Sequence, residues 1–271
     1  MGQDITHVLA GWDFDPKGIA VRAIQGDDGR EKIQLRLDLG LLQMDVDGRP
    51  DGKTIEGRES WFEFFQEKQK RHDAKNPDSR PFRLRGEDCE HLLREAVQYY
   101  HRYLGFWHLE RYELCARDTQ RNLRLFAFVR EFAANERDRL QFDQWRPYVT
   151  MMHARAVATS LIEGGDLSAA VDVIDAGIAG IESFLKDYKQ SHRADSVGEL
   201  IFLRRWRREL ISELAPDDAE LDDGSAEADP LVRLNSELES AIGAENYEEA
   251  ARLRDEIQRL TDPPPPTGRL R

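Results

Sequence analysis

Near the C-terminal end lie two short amphipathic stripes separated by a break, and this pattern constrains the chain more than any other. Pro230 suits the first turn of a helix, and Leu231, Leu234, Leu238 and Ala241 with Ile242 recur at spacings of three and four. Gly243 ends that stripe. After Ala244-Glu245-Asn246 a second stripe follows in Tyr247, Ala250, Ala251, Leu253, Ile257 and Leu260, so residues 230–261 read as an αα-hairpin. About thirty residues bury too little surface to be stable alone. The apolar face of the hairpin therefore requires a cover, either the body of the chain or a partner.

The run from Asn246 to Leu260 resembles the UVR domain, the helical hairpin shared by the UvrB and UvrC subunits of the bacterial excision nuclease. The aromatic-Glu pair of that family falls on Tyr247-Glu248, its paired alanines on Ala250-Ala251, its Arg-Asp pair on Arg254-Asp255 and its closing apolar positions on Ile257 and Leu260. Tyr247 departs from the family, in which phenylalanine is usual. The resemblance implies a contact with another protein, or a second copy, that carries a UVR-type hairpin. In that contact Leu234, Leu238, Tyr247, Ala250, Ala251, Leu253 and Ile257 supply an apolar seam, and Arg254 and Asp255 set orientation by polar pairing. It implies no catalysis and no cofactor, and it points to a bacterial-type cytoplasm. A more specific role is also implied, that of an accessory factor in DNA damage (nucleotide excision) repair that associates with excision-nuclease subunits. Activators of bacterial protein-arginine kinases carry the same hairpin together with Cys-x-x-Cys zinc motifs, which this chain lacks.

Before the hairpin, residues 215–229 read APDDAELDDGSAEAD, an acidic stretch nearly free of large apolar residues, expected to self-repel as an extended linker. After it, Asp262 and four prolines stop the helix and open a Pro-rich tail over 262–271. The net charge of −13 opposes nonspecific attraction to nucleic acid, so nucleic acid is not expected as a direct partner. No run is long enough to span a bilayer, and the N-terminus lacks a charged-then-apolar leader, which predicts no membrane partner and a cytoplasmic location. Cys89 and Cys115, far apart in sequence, are expected as buried reduced thiols.

Residues 1–56 have strand texture. Gly18 to Ile24 and Lys32 to Leu39 alternate, with Ile33, Leu35, Leu37 and Leu39 interleaved with Gln34, Arg36 and Asp38, and Gly26-Asp27-Asp28-Gly29 between them predicts a β-hairpin. A third strand is expected over Leu41 to Val46. Asp45, Asp47 and Asp51, with Gly48 and Gly52, invite comparison with a calcium loop. Their spacing misses the ligand positions of such a loop, so they are expected as solvated turn residues and no metal site is expected.

From residue 57 to 214 the pattern is helical. Helices are expected from Trp61 to about Asn76, from Glu87 to Gly105 with Leu92, Leu93, Ala96, Val97, Tyr100 and Leu104 in the core, and from Arg111 to Ala134. His91, His101, His108 and His153 lack the spacing of a metal set and are expected to pack or hydrogen-bond. Over residues 145–188, Pro147 opens one helix, Gly164-Gly165-Asp166 turns the chain and a second helix follows. Gly165-Asp166, with small residues at Ala158, Ala170 and Gly177, resembles a tetratricopeptide helical pair, which implies close helix packing between neighbouring helices over 111–134 and 197–214.

Arg204-Arg205-Trp206-Arg207-Arg208 is the densest basic run. It is a second candidate contact, for nucleic acid with Trp206 stacking on a base or for the acidic linker, set against plain ion pairing with Glu209 and Glu213 on the same helix. There is no Gly-x-Ser-x-Gly elbow, phosphate-cradling loop or Cys-x-x-Cys pair, so no catalytic residues are named and an enzyme of unfamiliar type in residues 1–214 is the less economical reading. The expected architecture is mainly α. A small N-terminal β-element (1–56) packs on a helical, tetratricopeptide-like body (57–214), followed by the linker, the tethered hairpin and the tail. Its expected function is non-catalytic, adaptor-like binding.

Overall fold

A computed structural model describes residues 4–75 and 81–214, and these form a mainly helical protein with a three-stranded antiparallel sheet near its N-terminus. The chain divides into two units, 1–214 and 215–271. In the first unit β1 (Val21–Gln25), β2 (Glu31–Leu37) and β3 (Gly40–Asp45) lie in the order β1-β2-β3. Ala23 stands opposite Ile33, and Ile33 opposite Met44. The turn composition at residues 26–29 closes the first hairpin, with the amide of Gly29 donating to the Gly26 carbonyl at 2.9 Å.

Ile33, Leu35 and Met44 face the helices, as the alternation requires. Gln34 departs from the expected solvent-facing role. It is buried because the N-terminal segment, including α1 (Thr6–Leu9), covers the outer sheet face. Its side chain accepts from Arg22 Nε at 2.8 Å and donates to Gln43 Oε1 at 2.8 Å, while Arg22 reaches the Val8 carbonyl at 2.9 Å and stacks on Trp12. β2 also ends earlier than its apolar alternation suggests, since Leu39 sits in the following turn and is 92% exposed.

The helices are α2 (Trp61–Lys75), α3 (Gly86–His108), α4 (Tyr112–Phe132), α5 (Glu136–Asp143), α6 (Arg146–Glu163), α7 (Leu167–Asp187) and α8 (Gly198–Leu214), with a 3₁₀ turn Ser191–Ser196 before the last. An aromatic core joins α2, α3, α4 and α5 through Phe62, Phe65, Phe82, Leu92, Phe126, Phe128 and Phe142. The sheet rests on α3 at Gly105, where an added Cβ would lie 2.9 Å from Ile33 Cδ1. Two residues expected in the core of α3 do not belong there. Val97 and Tyr100 are 45% and 36% exposed, because α3 buries the faces that meet the sheet, α2 and α4 and leaves this one outward. α5 is an element that the sequence pattern did not announce, since its apolar content is only Leu140 and Phe142.

α6 and α7 form the expected pair. Pro147 lies in the first turn of α6, Gly165 takes φ +80° at the turn, and the Asp166 carboxylate caps α7 by accepting from the Ala169 amide at 3.0 Å. Ala158, Ala170 and Gly177 are buried where α6, α7 and α8 meet. A Cβ at Gly177 would come within 2.8 Å of Ala154 Cβ and 3.2 Å of Leu203 Cδ1, so the helices are in direct backbone-level contact there. α4 packs against α6 and α7 against α8, in the neighbour relations expected of a helical stack.

Candidate interaction surfaces

The most elaborate polar constellation in the first unit is a set of arginines and carboxylates between the loop after β3 and helices α2 to α4. Glu95 of α3 is wholly buried and accepts from the amides of Trp61 at 2.8 Å and Phe62 at 3.1 Å, so a side chain from another helix caps the open N-terminus of α2. Arg121 of α4 pairs with the same carboxylate and stacks 3.8 Å above the Tyr99 ring. About two helical turns along α3 from Glu95, Arg102 is 1% exposed and grips Asp118 of α4 bidentately, Nε to Oδ2 at 2.6 Å and Nη2 to Oδ1 at 3.0 Å. Its Nη1 donates to the carbonyls of Asp45 at 2.9 Å and Gly48 at 2.7 Å.

These contacts revise the reading of Asp45 as a solvated turn residue, whereas Asp47 and Asp51 are exposed as expected. Asp45 is buried, and its carboxylate meets Lys32 and, at 2.8 Å, Arg30. Arg117 donates to Asp47 at 3.1 Å and to the Val46 carbonyl at 2.7 Å. Gly52 has φ +68°, and a Cβ there would stand 2.8 Å from Asp45 Oδ2, so the loop depends on glycine at that point. No group of three or more potential metal ligands is found among the described residues. The carbonyls of Asp45, Val46 and Gly48, accepting from Arg102 and Arg117, seat the loop's backbone on α3 and α4.

Beside this network lies a cavity of about 320 Å³ bounded by Gly48, the start of α2 and the facing sides of α3 and α4. Arg102, Arg117, Arg121 and Arg124 line it together with Glu59, Glu63 and Asp118, so guanidinium groups outnumber carboxylates. Arg102, Arg117 and Arg121 are already engaged by Asp118, Asp47 and Glu95, which makes this arrangement a brace between elements.

The cysteines are buried and unpaired, and burial pushes both thiols up to about 12, a range in which thiolate chemistry is suppressed. The histidines take packing and hydrogen-bonding positions. His91 stacks on Trp61 at 4.1 Å, and His153 Nδ1 lies 3.1 Å from Thr119 Oγ1 and 3.2 Å from the Ala116 carbonyl.

In the basic run of α8, the main ion-pair partners come from outside the helix. Arg204 reaches Glu182 of α7 at 2.9 Å and Asp195 at 3.0 Å, and Arg207 grips Asp175 of α7. Arg205 has the intrahelical partner Glu209 at 3.5 Å. Trp206 is half-buried, packed against the α6–α8 core near Phe202. Arg205 and Arg208 are exposed. Ion pairing therefore holds, but chiefly across the α7–α8 contact.

Among the described residues no helix is long and apolar enough to cross a membrane. The expectations placed on the linker, hairpin and tail, including Leu234, Leu238, Tyr247, Ala250, Ala251, Leu253, Arg254, Asp255 and Ile257, fall at 215–271, outside the described residues. Comparison with curated proteins finds no match, and neither does comparison with solved structures. The UvrB/uvrC motif of the UVR family matches residues 229–261, the segment read as a partner-binding hairpin.

Proposed function

We propose that this protein is a non-catalytic adaptor that captures a partner through its C-terminal UVR-type hairpin, the partner being a protein, or a second copy, with a hairpin of the same kind. The match of the UvrB/uvrC motif to residues 229–261 carries this reading, supported by an apolar stripe on each predicted helix that calls for a covering surface. Residues 1–214 act as the body from which the hairpin is presented across the acidic segment 215–229, in a bacterial-type cytoplasm.

Within that reading, the name of the motif favours a partner among the excision-nuclease subunits and hence an accessory role in nucleotide excision repair. Capture from lysate with the full chain and with its Tyr247→Asp/Leu253→Asp variant tests both levels. Specific proteins are expected to be lost from the variant, whose body keeps its unfolding midpoint. An identical retained set would end the adaptor reading, whereas a lost set without excision-nuclease subunits would end only the repair role.

A further inference from the structure

The exposed face of α3 leads to a place where α3, α6 and α8 converge on Arg155. The guanidinium carbon of Arg155 lies 4.2 Å from the ring centroid of Trp107 on α3 and 4.8 Å from that of Phe202 on α8. Among the described residues its one hydrogen bond is a weak contact from Nη1 to Met152 Sδ at 3.7 Å, and no carboxylate pairs with it. The groups that raise its pKa are Tyr148, Cys115 and Tyr112, all neutral at ordinary pH, its charge also bears on His108, and burial displaces its pKa downward. The contrast with Arg102 and Arg121 is sharp, since each of those holds a buried carboxylate.

We propose that Arg155 anchors a docking groove for an extended acidic peptide segment of a partner protein, with its guanidinium edge receiving an Asp or Glu carboxylate. Two rings pack against the guanidinium, but its N–H fork, the part that recognises carboxylates bidentately, is left almost unused. A half-buried cation without a counter-ion selects an anion as occupant. The shape of the surface argues for an extended segment. From Val97 to Trp107 the α3 face runs about 15 Å at 1.5 Å per residue, a length that about five residues of extended peptide cover. Along it the rings of Tyr100 and Tyr148 stand 6.4 Å apart between α3 and α6, partly exposed and available to apolar side chains flanking the acid. This surface is built from residues of the body alone, so the Tyr247→Asp/Leu253→Asp variant should bind such peptides unchanged.

The test is retention of the intact protein on an array of octapeptides in which one central position is fixed as Glu, Gln, Lys or phosphoserine and the others vary among Leu, Tyr, Ser and Gly. Glu-fixed peptides are expected to be retained about tenfold better than Gln-fixed ones, as a charge-assisted contact implies. That preference should vanish in Arg155→Gln and survive in part in Arg155→Lys. Tyr100→Ala, made at an exposed side chain that the core does not need, should weaken retention severalfold and keeps the test decisive if Arg155→Gln fails to fold. Equal retention of Glu- and Gln-fixed peptides, a preference that persists in Arg155→Gln, full retention by Tyr100→Ala, or stronger retention of phosphoserine-fixed peptides would each overturn the proposal.

Discussion

Two regions of the body are joined by different means. Between the loop after β3 and helices α2 to α4, charge holds the structure: Glu95 caps α2 and Arg102 ties the carbonyls of Asp45 and Gly48 while gripping Asp118. Between α6, α7 and α8, size holds it, with Ala154 and Leu203 fitting around the bare Gly177. The difference follows from the backbone. An irregular loop and a helix terminus present N–H and C=O groups that must be satisfied once buried, and side-chain ions can reach them. Regular helices have satisfied their own groups and need only complementary surfaces.

The largest expected effect comes from breaking the charged region. Asp118→Asn keeps the shape but leaves Arg102 buried without its counter-ion, a loss of about 3–5 kcal/mol that urea unfolding would measure. The double change Arg102→Met/Asp118→Leu should recover only part of it, because the Asp45 and Gly48 carbonyls then lose their donor. A loss below about 1 kcal/mol for the single change would show that the network is not what seats the loop.

In the apolar region, Gly177→Val is expected to cost about 1–3 kcal/mol through overpacking against Ala154 and Leu203, again read from the unfolding midpoint. Stabilisation there would mean that the helices are not in close contact.

A smaller effect should appear with pH. Burial is the leading cause that lowers the pKa of His101, His108 and His153 below the ordinary 6.5. The unfolded chain therefore binds protons more readily than the folded one, so stability is full above about pH 6.5 and falls as the solution is acidified through the folded-state values. Thermal unfolding across pH 7.5 to 5 checks the sign, and His153→Gln should flatten part of the slope.

The smallest effect is expected for Arg205→Ala/Arg208→Ala, whose exposed side chains should change stability by within about 0.5 kcal/mol. The same variant measures whether those two arginines matter to binding rather than to folding.

Where periodicity and turn chemistry decide structure, the sequence was readable: the strand alternation at Ile33 and Leu35, the glycine turn at 26–29, and the Pro147 and Gly164-Gly165-Asp166 boundaries all appear in the fold. What depended on distant partners was hidden. Asp45 looks like a turn residue until Lys32 and Arg30 are seen around it, and Val97 and Tyr100 look like core until the sheet, α2 and α4 claim the other faces of α3. Arg102 and Asp118 are sixteen residues apart on different helices, a spacing that no local pattern marks. Arg155 was equally silent, because its distinction is the lack of a described carboxylate partner. The UvrB/uvrC motif at 229–261 was legible because its pattern is contiguous in sequence.

The central claim, that the hairpin seam meets a partner with a hairpin of the same kind, is most directly tested by placing a photoreactive benzoylphenylalanine at position 247. The family's preference for phenylalanine there makes this a mild change. The same group at Leu140, exposed on the body, serves as the reference. Irradiation in lysate should give a discrete cross-linked product from the Tyr247 position and none from Leu140. A product from the body position with none from 247 would contradict the account.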